Sequence, residues 1–144
     1  MATIKSYTDI EQSKKLAEIL LLESADMLYI MYRDGEKPQN GDENLSTTYE
    51  SNEHKWYWIN IIDEAWNMRI EKDIPCWSLA ALLDVLPKNL NIGRPSLESN
   101  YKGYCWIQYY DEFMKPNNYK TECFNNSVDA CYEMILKLHE FKLL

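Results

Sequence analysis

The sequence predicts a single α+β domain over residues 1–144, a sheet of about four strands packed by three helices in the order α-β-β-α-β-β-α. Three observations predict it. Apolar residues recur at helical spacing near both ends and in the centre, aromatic and β-branched runs of strand length lie between them, and 144 residues with 46% hydrophobic content suffice for one packed core.

The first helix has a legible start, because Thr8 and Glu11 form the Thr-x-x-Glu pattern of a capping box. Ile10, Ser13, Ala17 and Leu20 follow on one stripe, widened by Leu16 and Leu21, which predicts a helix over Asp9 to Leu20. Met27 to Tyr32 is a short apolar and aromatic run closed by Arg33-Asp34-Gly35; it fits a largely buried strand and its turn, although the period alone does not exclude helix. Residues 34–53 turn to Gly, Pro, Asn, Ser, Thr and acids, too polar to offset their ordering entropy, and read as a long mobile loop. Trp56 and Trp58 then alternate with Lys55 and Tyr57, which predicts a strand over Lys55 to Ile61. Ile59, Ile62 and Trp66 fall at helical intervals, so the stretch to residue 72 stays open.

Pro75 is expected to stop the preceding element. Ser78 is an N-cap for a helix with Leu79, Leu82, Leu83 and Leu86 on one face, and Pro87 ends it. Leu90 and Ile92 fit a short strand before the turn-rich Gly93-Arg94-Pro95-Ser96. Tyr104 to Tyr110 has strand composition, with Tyr119 to Phe124 as its antiparallel neighbour after a turn at Lys115-Pro116-Asn117-Asn118. The last helix opens at Asn126, places Asp129 at its positive end, and carries Val128, Cys131, Ile135 and Leu138 on one stripe down to His139.

Chemistry is sparse by comparison. Cys76, Cys105, Cys123 and Cys131 are unevenly spaced with no Cys-x-x-Cys pair, against a zinc knuckle or redox dithiol, and read as small core fillers in a reducing compartment. A formal net charge of -8 repels phosphate backbones, so nucleic acid is not an expected partner. The amino terminus lacks the apolar stretch of a secretion signal and no window has the apolar length to cross a bilayer; a cytoplasmic protein without a membrane partner is the expectation.

His139 reads as a cation at a helix C-terminus and His54 as a residue bordering the loop. Asp63-Glu64, Asp84, Asp111-Glu112 and Asp129 make an acid/base pair only if the fold joins two of them, and solvated surface is the simpler account. Ser78 lies outside any Gly-x-Ser-x-Gly elbow, and four glycines provide no dinucleotide or phosphate cradle. No catalytic, cofactor-binding or metal-ligating residue is therefore assigned. Aromatics are the unusual resource, with five Trp and eleven Tyr. Because a strand alternates its faces, consecutive rings do not all enter one core unless helices cover both faces of the sheet, and Trp56, Trp58, Trp66, Tyr109 and Tyr110 become candidates for an interaction surface.

At Glu11 to Leu20 with Glu23-Ser24-Ala25-Asp26-Met27, at Pro75-Cys76-Trp77-Ser78-Leu79-Ala80-Ala81-Leu82-Leu83, and at Val128-Asp129-Ala130-Cys131 leading to Leu138-His139-Glu140, the chain resembles small uncharacterised proteins of gut Bacteroidetes, their phages and other mobile elements. The last helix of that set often starts Asn-Pro-Val-Asp, where this chain has Ser127 in place of the proline. The resemblance implies a mobile-element context and brings no activity, cofactor or catalytic residue. A non-enzymatic accessory protein acting by protein–protein contact is the leading expectation. A small enzyme or ligand binder with a carboxylate and aromatic site, and a virion or assembly component, are the alternatives.

Overall fold

The computed structural model describes residues 5–33, 46–50, 54–60 and 74–144, with side chains over 5–29 and 74–144. Its contacts gather in two units, one within Asp9–Ser78 and one joining residues 5–8 to Leu79–Leu144. The class is α+β as the sequence predicts, with three α-helices and seven strands among the described residues. The strands form two antiparallel sheets, ordered β2-β3-β1-β4 and β5-β6-β7, where one sheet of about four was expected.

In the first unit, α1 (Ile10–Ala17) starts one residue later than the sequence pattern placed it. Asp9 is the N-cap: its carboxylate accepts from the Gln12 amide at 2.8 Å while the Gln12 side chain accepts from the Asp9 amide at 3.2 Å. Both Thr and Asp make competent caps, and here Thr8 is buried. Ser13 and Leu16 are buried and α1 packs on β4.

Strand β1 (Met27–Arg33) pairs with β3 (His54–Asn60) from Met27↔Asn60 to Arg33↔His54, bearing out both predicted strands. Within the predicted loop, Ser46–Glu50 is instead a strand, β2, paired to β3 with a register shift between Thr47 and Tyr49. Thr47, Thr48 and Tyr49 are β-formers whose pairing outweighs the polar composition around them. The rest of that loop, 34–45 and 51–53, and the open stretch 61–73 lie outside the described residues.

Pro75 does not stop an element; it sits inside the short strand β4 (Ile74–Cys76), opposite Leu28. Because β4 is the sheet's edge, a residue without an amide hydrogen is tolerated there. Trp77 follows, fully buried, its Nε1 donating to Ser24 Oγ at 2.9 Å. The Asp26 carboxylate accepts from the Ser78 amide at 2.9 Å and from the Ser78 hydroxyl.

In the second unit, α2 (Leu79–Val85) packs on α3 (Ser127–Glu140), and α3 lies on the central strand β6 (Cys105–Tyr110). The sequence placed α3 correctly: Asn126 is its N-cap, accepting from the Asp129 amide at 2.8 Å, and Val128, Cys131, Ile135 and Leu138 are buried. Lys5 bridges to Asp129 at 2.8 Å, setting a cation on the carboxylate at the helix's positive end.

The flanking strands are β5 (Arg94–Ser99) and β7 (Pro116–Lys120). Arg94 to Ser96 is strand and not turn, whereas the predicted hairpin is present, with Lys120 opposite Gln108 and Phe124 bridged to Cys105; its turn falls at Asp111–Lys115, ahead of Pro116. Leu90 and Ile92 belong to the turn closed by the Asn89↔Gly93 bridge and form no strand. Among the described residues no helix is long and apolar enough to cross a membrane.

Ile107 and Tyr109 face α3 and are fully buried. The Tyr109 hydroxyl donates to the Pro87 carbonyl at 2.9 Å, and its ring meets Tyr119 edge-on at 6.2 Å. Burial raises the Tyr109 pKa above its ordinary value of 10.0 and pushes the Cys131 thiol from 9.0 up to about 12.

Both groups are held neutral in the fold, so above pH 9 the unfolded chain binds fewer protons than the folded one. Stability from these groups is complete below that pH and is lost as pH rises through the window. Melting temperatures measured from neutral to strongly alkaline buffer are expected to fall once pH exceeds 9. Tyr109→Phe is expected to cost about 1 kcal/mol at neutral pH through the lost Pro87 hydrogen bond, and to remove one tyrosinate that forms above the ordinary range in a spectrophotometric titration.

Candidate functional site

Two braced turns meet at one end of the β5-β6-β7 sheet. The first is fixed by Asn89, whose Oδ1 accepts from the amides of Asn91 at 2.9 Å and Ile92 at 3.0 Å. Buried Ile92 anchors it, and its carbonyl accepts from Asn117 Nδ2 at 2.8 Å. Gly93 takes φ +87 and closes on the Tyr110 carbonyl, leaving no room for a side chain. The second turn is fixed by Asp111, whose Oδ1 accepts from the amides of Phe113 at 2.8 Å and Lys115 at 2.9 Å. The backbone of Asp111 and Lys115 closes it at 2.9 Å, just before β7 pairs Pro116 with Tyr110.

What these turns display is apolar. Leu90 is 89% exposed on the first, and Phe113 and Met114 are 73% and 75% exposed on the second. Met114 holds φ 60, a left-handed conformation that glycine or asparagine adopts at lower cost; a methionine there costs about 1–2 kcal/mol. Lys142 shares that φ, but it follows α3 in a C-cap, where Leu143 N donates to Leu138 O at 2.8 Å. Between the two turns lies an open hollow of about 670 Å³, with Lys88, Leu90, Arg94, Tyr110, Glu112 and Met114 in its wall.

The interaction candidates read from the sequence separate on this structure. Tyr109 is corrected: it is a core residue whose ring and hydroxyl are both spent inside the second unit. Tyr110, on the opposite face of β6, is half-buried and lines the hollow; its hydroxyl donates to the Glu98 carboxylate, which raises its pKa. Trp56 and Trp58 lie two residues apart in β3, opposite Met31 and Tyr29 of β1. Their side chains, and Trp66 altogether, lie outside the described residues.

Leu90, Phe113 and Met114 were missed because they belong to no periodic stripe. Their signal was apolar side chains inside segments bounded by Asn89 and Gly93 and by Asp111 and Lys115.

The chemistry the sequence weighed is placed as follows. Asp111 braces its turn, Asp129 pairs with Lys5 at the start of α3, and Asp84 is exposed on α2. Among the described residues no three of the His, Cys, Asp and Glu side chains gather as a metal site. His139 sits exposed in the last turn of α3. Cys76 and Cys131 are buried fillers, but Cys105 is only half-buried and Cys123 is exposed, which corrects the core-filler reading for Cys123. No family model, curated protein or solved structure matches the chain.

Proposed function

We propose that the chain is a non-enzymatic accessory protein of a phage or mobile element that works by protein–protein contact, through the paired turns of Leu90, Phe113 and Met114. The observation carrying this reading is Met114. Its exposed apolar side chain sits where the backbone favours glycine, so folding alone does not account for the methionine. Bracing by Asn89 and Asp111 fixes the backbone that carries the three side chains, which lowers the ordering cost of association.

Met114→Gly separates the roles. It is expected to raise stability by up to about 1 kcal/mol through relieved strain, and to abolish partner capture. The measurement is affinity capture from a gut Bacteroidetes lysate with wild-type and Met114→Gly baits, alongside thermal melts of both. A stoichiometric protein held by the wild type and lost by the variant supports the reading; equal recovery, or none across several lysates, defeats it.

The 670 Å³ hollow favours a second reading, a small-ligand binder, since its size falls within the range of ligand pockets. A thermal-shift screen with nucleotides and metabolites tests it, ligand-specific stabilisation being the supporting result.

A further inference from the structure

The charges beside the hollow sort by turn. Lys88 and Arg94 flank the first turn on either side, Asp111 and Glu112 open the second, and all four stand in the wall. Lys115, at the far end of the second turn, lies outside it. Lys88, Arg94 and Glu112 are exposed, and among the described residues none of the three has an ion pair or a side-chain hydrogen bond. Asp111 keeps its charge while its Oδ1 accepts from the amides of its own turn. The wall is therefore balanced, two cations on one side and two carboxylates on the other, in a chain that carries -8 overall. Such a patch favours neither an acidic nor a basic partner, but it is complementary to itself.

We infer that the paired turns receive a second copy of this chain, related to the first by a two-fold axis through the hollow. The rotation lays the first turn of each copy over the second turn of the other. Lys88 and Arg94 then meet Asp111 and Glu112 in both directions at once, which is the reciprocity an isologous contact requires. The same rotation sets exposed Leu90 against exposed Phe113 and Met114, and the turn tips of one copy enter the open hollow of the other. Equal net charges of -8 oppose random approach, yet at physiological ionic strength they are screened over about 8 Å, so the facing pairs select this docking. Two turns from each copy make a contact below about 1,200 Å² in total, the class of reversible assemblies. The inference rests on reading the turns as a protein-contact surface and names one occupant for it.

Sedimentation velocity of the full chain over a concentration series is expected to show a monomer–dimer equilibrium. Lys88→Glu/Arg94→Glu makes both turns negative, and Glu112→Lys removes the negative excess of the second turn; each is expected to weaken dimerisation at least about tenfold. Mixed in equal amounts, with a fluorescein label on one of them, the two variants are expected to regain the dimer as a heterodimer, because opposite signs face each other again. The substituted side chains are exposed, and thermal melts verify that each variant is folded.

A chain that stays monomeric throughout the series overturns the inference. So does a dimer indifferent to both charge variants, or a mixture that stays monomeric after each variant alone has lost the dimer. The two readings fail separately. If the wild type stays monomeric while Met114→Gly loses the lysate partner, the contact surface stands and the second copy falls. If the wild type dimerises through these charges and no lysate protein is captured, the self-contact stands and the host partner falls. If the wild type stays monomeric and Met114→Gly keeps the lysate partner, the surface itself is wrong.

Discussion

Trp77→Ala is expected to lower the unfolding free energy by about 3–5 kcal/mol, the range for removing a buried indole. Trp77 is the largest fully buried side chain among the described residues, and its Nε1 donates to Ser24 Oγ, which in turn donates to the Leu21 carbonyl at 2.6 Å. Alanine leaves a void and releases the short 3-10 turn at Leu22–Ser24 from the segment that follows β4. Trp77→Phe keeps most of the volume and loses the hydrogen bond, for an expected cost of about 1–2 kcal/mol. Urea melts distinguish the outcomes as shifts in midpoint at an unchanged m-value. A cost for Trp77→Ala no greater than that for Trp77→Phe would falsify the packing described for this side chain.

Gly93→Ala is expected to cost about 3 kcal/mol or more, from two sources that add. A left-handed φ of +87 is itself unfavourable for alanine by about 1–2 kcal/mol. The new Cβ would also stand 2.1 Å from the Tyr110 carbonyl oxygen and 2.9 Å from its carbon. Both are backbone atoms, so relief requires the first turn to move away from β6. Gly103→Ala, at φ +88 between β5 and β6, asks only for the backbone conformation and is expected to cost about 1–2 kcal/mol. Chemical denaturation of the two variants side by side decides the matter, and a larger loss at Gly103 contradicts the close approach at Gly93. Because that approach sets the spacing of Leu90 from Phe113 and Met114, Gly93→Ala is also expected to lose the partner, whereas Gly103→Ala keeps it.

Helices were the most legible part of the fold. The final one announced both its cap, Asn126, and its buried stripe, because each signal is confined to a few neighbouring residues. The start of the first was legible to within one residue, since Thr8 and Asp9 are adjacent caps and only packing chooses between them, while its end at Ala17 falls three residues short of the predicted Leu20. Strands containing proline were misread for a common reason. Pro75, Pro95 and Pro116 all look like punctuation in a linear sequence, yet each lies within an edge strand, a status that exists only once the sheet is assembled.

Choosing between Tyr109 and Tyr110 turned on phase. Ile107 and Tyr109 share parity on β6, so the fully apolar isoleucine marks the inward face and Tyr110 falls opposite. The paired turns were illegible as a site because their proximity depends on Asn117, 25 residues from Ile92, reaching across the end of the sheet.

Those three prolines also limit how the molecule can recognise anything. Each removes a main-chain donor from a sheet rim, so β4, β5 and β7 are poor templates for an incoming extended chain, and β2 is the rim strand without one. Association by adding strands, whether to a target or into fibrils, is discouraged along most of the periphery. Under the proposed contact function, selectivity would then rest with side chains at the sheet ends, where single residues change without touching the scaffold.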